Sequence, residues 1–151
     1  MKLTKIITKT IVERENFDCE IKEATLLSIE EYKKYESIIP LLKKWWWLRS
    51  PGYYQSYAAG VSDDGGVYER GINVAFDFYA VRPALKIQIS NSESFKSGDK
   101  LDLLDKKWTV LDVLKKEIYI LCNESIGNHK FDSKSNIWET SELKTWLESQ
   151  L

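Results

Sequence analysis

The sequence predicts an α+β fold, a mostly antiparallel sheet with two helices. Three observations point there. Three consecutive tryptophans, Trp45, Trp46 and Trp47, head an extended stretch that runs on through Leu48, Arg49, Ser50, Pro51 and Gly52. Asp63-Asp64-Gly65-Gly66 separates two alternating arms, the composition of a tight hairpin turn, because glycine tolerates positive φ. Ser28-Ile29-Glu30-Glu31 has the spacing of a helix capping box.

Residues 5–12 carry β-branched side chains in imperfect alternation, Ile6, Thr8, Thr10 and Val12 against Ile7 and Ile11. That is the pattern of a short strand or extended arm. Residues 13–23 are polar and read as loop, and residues 24–27 as a short strand. The helix announced by Ser28 has Leu27 and Tyr32 at the two positions of a hydrophobic staple. It runs to about Ile38, because Pro40 disfavours helical geometry at Ile39.

Successive strand side chains point to opposite faces, so Trp46 must face away from Trp45 and Trp47. Each indole buries roughly 150–250 Å². Both faces therefore need cover, which places this strand centrally and not at a solvated edge. The hairpin arms span residues 58–62 and 67–70. Val81 and Leu85 flank Arg82-Pro83, and a proline there marks an edge, a bulge or a strand end. The strand continues to Ile89.

Residues 90–98 are the clearest compositional break and read as a linker. Residues 99–104 form a short strand or turn, and residues 108–114 and 118–122 are two apolar runs joined as a hairpin. Residues 123–136 are polar loop. The final helix follows Trp138, with Thr140 or Ser141 as its cap and Leu143, Trp146, Leu147 and Leu151 on one face.

At 151 residues the chain reads as one domain, large enough to fold without a disulfide or metal staple. Its 22 basic and 23 acidic residues give a net charge of −1, so there is no electrostatic case for nucleic acid. Cys19 and Cys122 are too few for a disulfide scaffold and form no CxxC pair. A reduced, cytoplasmic setting is the simpler expectation. The opening residues 1–9 hold no long apolar run, unlike a signal peptide. No window approaches the roughly 18 apolar residues of a membrane span.

The pairing of Trp-Trp-Leu-Arg-Ser-Pro-Gly (46–52) with Val-Arg-Pro-Ala-Leu (81–85) around a glycine-rich hairpin resembles the DUF6273 domains of bacteria and phages. Those are similar in turn to the C-type-lectin-like fold of formylglycine-generating enzymes and of the variable receptor-binding proteins of diversity-generating retroelements. Residues 108–113 and 137–147, the latter reading Ile-Trp-Glu-Thr-Ser-Glu-Leu-Lys-Thr-Trp-Leu, also resemble that family. There this half precedes a segment like Leu26-Leu27-Ser28-Ile29-Glu30-Glu31. The resemblance thus implies a circularly permuted C-type-lectin-like domain. Residues 1–89 are the motif half, 90–98 the linker and 99–151 the hairpin-plus-helix half. If so, residues 86–89 should lie beside residues 108–113.

Arg49 and Arg82 sit inside the two motifs. A guanidinium fork suits carboxylate or phosphate recognition, but arginines flanked by core residues more often hold loops together. Trp46, Arg49, Ser50, Arg82 and Pro83 are therefore assigned structural roles. Asp63, Asp64, Glu69, Asn73 and Asp77 supply oxygen atoms, but their spacing matches no EF-hand, so turn and surface roles are preferred. Whether that loop binds calcium stays open. His129, the only histidine, has no Ser, Cys or acid at motif spacing. The formylglycine reaction needs paired cysteines at a copper site, and Cys19 and Cys122 make no such pair.

Tyr53, Tyr54, Tyr57, Tyr68, Phe76, Phe78 and Tyr79 cluster between the motifs, with Arg70 among them. Tyrosine gives large contact area at low entropic cost. Tyr53, Tyr54, Tyr57, Tyr68, Arg70 and Phe78 are the expected ligand-binding set, with about half of the aromatics in the core. The corresponding region of the variable receptor-binding proteins carries their ligand surface, which adds to this expectation. The expected function is a non-enzymatic recognition module for a protein, or less favoured a glycan. No cofactor, metal, nucleic acid or membrane is expected, the oligomeric state is open, and a phage particle is a second location. The alternatives are an enzyme on a formylglycine-generating-enzyme-like scaffold, with Arg49, Arg82 and an acid converging on a cleft, and a self-assembling subunit.

Overall fold

A computed structural model describes residues 4–9, 16–90 and 92–151, with side chains placed from residue 18 onward. Nine strands, two α-helices and three short 3-10 turns follow one another among these residues. The fold is α+β, and its strand ladders are antiparallel.

β1 (Thr4–Lys9), β2 (Asn16–Thr25), β6 (Ala84–Ile89), β9 (Glu117–Cys122), β8 (Lys106–Leu114) and β7 (Lys100–Leu103) close into a barrel in that spatial order. β3 (Trp46–Pro51), β4 (Tyr57–Val61) and β5 (Val67–Asn73) form a separate three-stranded sheet. Barrel closure leaves no free edge among its strands. The expected strand at residues 5–12 is seen as β1, and residues 10–12 lie outside the described residues.

Several sequence expectations need correction. Residues 16–23 are not loop but most of β2. Cys19, Ile21 and Ala24 point inward while Asp18, Lys22 and Glu23 are exposed, and a bulge between Ile21 and Glu23 breaks the alternation. The strand expected at residues 24–27 is only the end of β2, which stops at Thr25. β6 lies beside β2 and β9, so the expected neighbour β8 is one strand further round. Within the stretch read as a linker, Phe95 is buried in the main core, and Ser97 Oγ donates to the Leu111 carbonyl at 3.0 Å.

The tryptophan triplet behaves as alternation requires. Trp47 enters the main core, with Trp45 packed against it, while Trp46 enters the second core with Leu27, Leu48 and Ala84. Burying such indoles contributes on the order of 4–6 kcal/mol each, an upper estimate. β3 is not central in its sheet but an end strand. Other backbone pairs with its outer edge: Trp47 N–H donates to Ala80 O at 3.2 Å, and Arg49 N–H donates to Leu27 O at 2.9 Å.

α1 (Ile29–Tyr35) starts with the complete capping box, Ser28 Oγ accepting from the Glu31 N–H and Glu31 accepting from the Ser28 N–H. Leu27 and Tyr32 share the second core, and Ile39 is extended, so the helical stretch stops where Pro40 requires. The Tyr32 ring stands edge-on to Trp46 at 5.5 Å, and its hydroxyl donates to Gly65 O at 2.7 Å, tying the helix to the hairpin turn. α2 (Glu142–Gln150) is capped by Ser141, and Leu143 and Leu147 reach the main core. Among the described residues no helix is long and apolar enough to cross a membrane.

Candidate functional site

Of the seven aromatics of this stretch one is buried, fewer than the expected half, because five of them lie on loops outside the strands. Tyr79 is buried between Trp47, at 4.6 Å between ring centres, and Trp45, at 5.6 Å. Tyr53 and Phe78 are each 71% exposed, and Tyr54 is 57% exposed. Tyr68, Phe76 and Arg70 are exposed and Tyr57 is half-buried. The rings meet in separate groups: Tyr54 with Tyr57, Phe76 with Phe78, and Tyr68 edge-on to Trp45 at 5.6 Å. Tyr68 therefore belongs partly to the Trp45–Tyr79 stack.

The loop carrying Tyr53 and Tyr54 has a fixed backbone. Gly52 N–H donates to Tyr57 O at 2.7 Å, Tyr53 N–H to Arg70 O at 2.8 Å, and Tyr57 N–H to Tyr54 O at 2.9 Å. Asn136 supports it from the other half of the chain. Its Nδ2 donates to Tyr54 O at 3.1 Å and Tyr57 O at 3.0 Å. Two glycines permit the close approach, because a Cβ on Gly52 would lie 2.3 Å from Arg70 O and one on Gly71 would lie 2.5 Å from Ala58 O. Asn136 was not foreseen; it sits in a polar stretch with no local pattern to mark it.

The two motif arginines have different surroundings. Arg82 is 1% exposed. Its Nε donates to Cys122 O at 2.7 Å, its Nη2 to Pro40 O at 2.6 Å, and the guanidinium lies 4.9 Å from the Trp46 ring centre. Burial pulls its pKa down to about 10. Pro83 follows it and its carbonyl accepts from Cys122 N–H at 2.9 Å. Arg82 thus bridges the Cys122 and Pro40 carbonyls beside the Trp46 ring.

Arg49 is half-buried. Its Nη1 donates to Leu26 O and to Glu31 Oε1, both at 2.6 Å. Glu31 Oε1 also accepts from the Ser28 N–H at 2.9 Å and the Tyr119 hydroxyl at 3.1 Å. Burial raises the Glu31 pKa, but the bonds from Arg49 and Ser28 and the Arg49 charge outweigh it, so the carboxyl lies below its ordinary value. Burial and the neighbouring Glu31 carboxylate raise the Tyr119 pKa. Ser50 Oγ accepts from the Ile29 N–H at 2.9 Å, a second tie between β3 and α1. Arg49 lines two clefts, whereas Arg82 is buried with its guanidinium on the Cys122 and Pro40 carbonyls.

The oxygen-bearing side chains of the hairpin region face different partners. Glu69 pairs with Lys33 at 3.0 Å, Asn73 Oδ1 accepts from Ala75 N–H at 2.9 Å, and Asp64 Oδ1 accepts from Ser62 Oγ and the Gly66 N–H. Among the described residues no group of three or more His, Cys, Asp or Glu side chains is arranged to hold a metal ion. His129 stacks on Trp146 with ring centres 4.8 Å apart. Cys19 and Cys122 are buried thiols on β2 and β9, and burial pushes Cys122 up in pKa.

No curated protein and no solved structure matches the chain. A family model described as a domain of unknown function, DUF6273, matches residues 7–89, which run from β1 to the end of β6 and contain α1, both arginine motifs and the aromatic loops. The chain therefore belongs to the DUF6273 family.

Proposed function

We propose that this protein is a non-enzymatic recognition module that binds a protein partner, with a glycan as the less favoured ligand, through the aromatic surface of residues 52–79. One observation carries the reading. Tyr53, Tyr54 and Phe78 are each more than half exposed, and the loop of the two tyrosines is pinned by backbone bonds and by Asn136. Large apolar side chains gain nothing for folding when left in water. Held on a fixed backbone, they lose little entropy on binding.

The scaffold we assign is C-type-lectin-like with its two halves in reversed order. Its support is the order of the sequence motifs, together with the pairing of β7, β8 and β9 into the same barrel as β2 and β6. That β6 neighbours β9 and not β8 departs from the simplest version of this arrangement. The setting we favour is the cytoplasm or a phage particle, in host attachment or inhibition of a host factor.

Capture from a lysate of the source cells tests the binding reading. The wild-type chain should retain a discrete protein that Tyr53→Ala/Tyr54→Ala loses, with both chains monomeric by light scattering. Equal recovery by the two would count against the surface, and a wild-type homo-oligomer that the double variant breaks would favour self-assembly.

A further inference from the structure

A second site lies away from the aromatic surface. A cleft of about 230 Å³ opens where the barrel, α1, β3 and the turn at Trp138 meet. It is lined by three carboxylates, Glu23, Glu31 and Glu139, and by two cations, Arg49 and Lys86. Thr25, Tyr119 and Trp138 contribute its buried lining. We infer that this cleft binds a small zwitterion, a molecule of amino-acid size that carries one carboxylate and one ammonium group.

The charges lead to that class. Glu31 faces Arg49 at 2.6 Å and Glu23 faces Lys86 at 3.4 Å, which leaves Glu139 as the carboxylate in excess. A bare anion would meet a lining of net negative charge. A bare cation would leave the arginine fork unused. The hydrogen bonds of the Arg49 guanidinium to Leu26 O and Glu31 both leave from Nη1, and the Tyr119 hydroxyl also lies beside the guanidinium. A guanidinium has five N–H donors in a planar fork, so the Nε–Nη2 edge is the part suited to a ligand carboxylate. An ammonium group is served by Glu139 and the neighbouring Trp138, because the Tyr119 ring already has a cation of its own. Lys86 already stands 6.0 Å from the centre of the Tyr119 ring.

Size and rigidity agree. The cleft is smaller than the roughly 300–1,000 Å³ of pockets for drug-sized ligands, so its occupant is small. A neighbouring cleft of about 360 Å³ shares Arg49, Trp138 and Glu139 with it and gives room for a side chain on that molecule. Arg49 is fixed by Leu26 O and Glu31, and Glu31 by the Ser28 N–H and Tyr119, so the recognising groups are set before a ligand arrives.

Two-dimensional ¹H–¹⁵N NMR titration of the full chain tests this, with each of the common L-amino acids added to about 10 mM, a concentration that detects millimolar binding. Acetate, methylamine and N-acetylglycine serve as single-charge controls. The expected result is that at least one amino acid shifts the amide signals around Arg49, Lys86 and Glu139 saturably, and binds about tenfold tighter or more than any control. Lys86→Met and Glu139→Gln, both on solvent-accessible side chains, should weaken that binding while leaving the rest of the spectrum unchanged. Absence of saturable shifts with every amino acid, shifts confined to another region, or equal binding by a single-charge control would overturn the assignment.

Discussion

Glu31 and Arg49 are joined by a 2.6 Å ion pair whose carboxylate oxygen also closes the capping box of α1. One side chain therefore starts the helix and fastens it to β3. The two ends of this link lie 18 residues apart and in different elements. The Tyr119 hydroxyl adds a third donor from β9 of the barrel. Helix, sheet and barrel are thereby held at a single oxygen atom.

Removing either partner should loosen that junction. Arg49→Ala leaves Glu31 half-buried with its charge and leaves Leu26 O with the Thr25 hydroxyl as its donor, so a loss of about 2 kcal/mol is expected in urea unfolding. The pH dependence has a definite sign. The folded Glu31 carboxyl lies below its ordinary value of 4.5. It therefore contributes stability that is fully present above pH 4.5 and is lost as pH falls through the lower folded value. The stability gap between wild type and Glu31→Gln should shrink as the pH drops below that point. A gap of constant size would show that the carboxylate charge adds nothing.

Arg82 should tolerate no conservative exchange. Its carbonyl acceptors at Cys122 and Pro40 are met by different nitrogens of one planar group, a geometry a lysine ammonium does not reproduce. Arg82→Lys is expected to cost about 2–4 kcal/mol, because buried carbonyls lose donors while a charge stays buried. Thermal or urea unfolding measures it directly. A loss below about 1 kcal/mol would mean that water or backbone movement replaces the guanidinium.

Local chemistry was legible in this sequence, and long-range pairing was not. The capping box at Ser28, the Asp-Asp-Gly-Gly turn and the alternating tryptophans are each set by neighbouring residues, and each is found where the sequence puts it. β2 was hidden by its bulge, which puts Lys22 and Glu23 side by side on the outer face and breaks the two-residue period. Barrel closure depends on β1 meeting β7, a partnership between segments some 90 residues apart that no local pattern encodes. Phe95 is the one large apolar side chain in a polar stretch, and it alone signals that residues 92–98 are packed. At the candidate sites, the exposed tyrosines were visible as a run. The partners of Arg49 and the support from Asn136 come from distant segments.

The aromatic surface and the aromatic core should separate cleanly under mutation. Tyr53→Ala and Phe78→Ala remove exposed rings, so each should change stability by no more than about 0.5 kcal/mol. Tyr79→Ala removes a ring packed on Trp45 and Trp47 and should cost about 3–5 kcal/mol. Calorimetric unfolding of the three variants measures this. A large loss at Tyr53 or Phe78 would make that residue part of the packing and remove it from the proposed surface.

Gly71 and Gly98 supply a matched pair for the backbone that presents Tyr53. Both have positive φ, 83° and 94°. A Cβ at Gly98 meets nothing within 4 Å, whereas one at Gly71 would lie 2.5 Å from Ala58 O and 3.1 Å from the Gly52 Cα. Gly98→Ala should therefore cost only the left-handed backbone penalty, about 1–2 kcal/mol. Gly71→Ala adds an overpacking cost of about 1–3 kcal/mol on top of it. Because Arg70 O accepts the Tyr53 N–H beside this contact, the same substitution should free the loop. Faster amide exchange at Tyr53 in Gly71→Ala, with no change there in Gly98→Ala, is the expected observation. Equal exchange in both would show that the close approach of Gly71 to Ala58 does not hold the tyrosine loop.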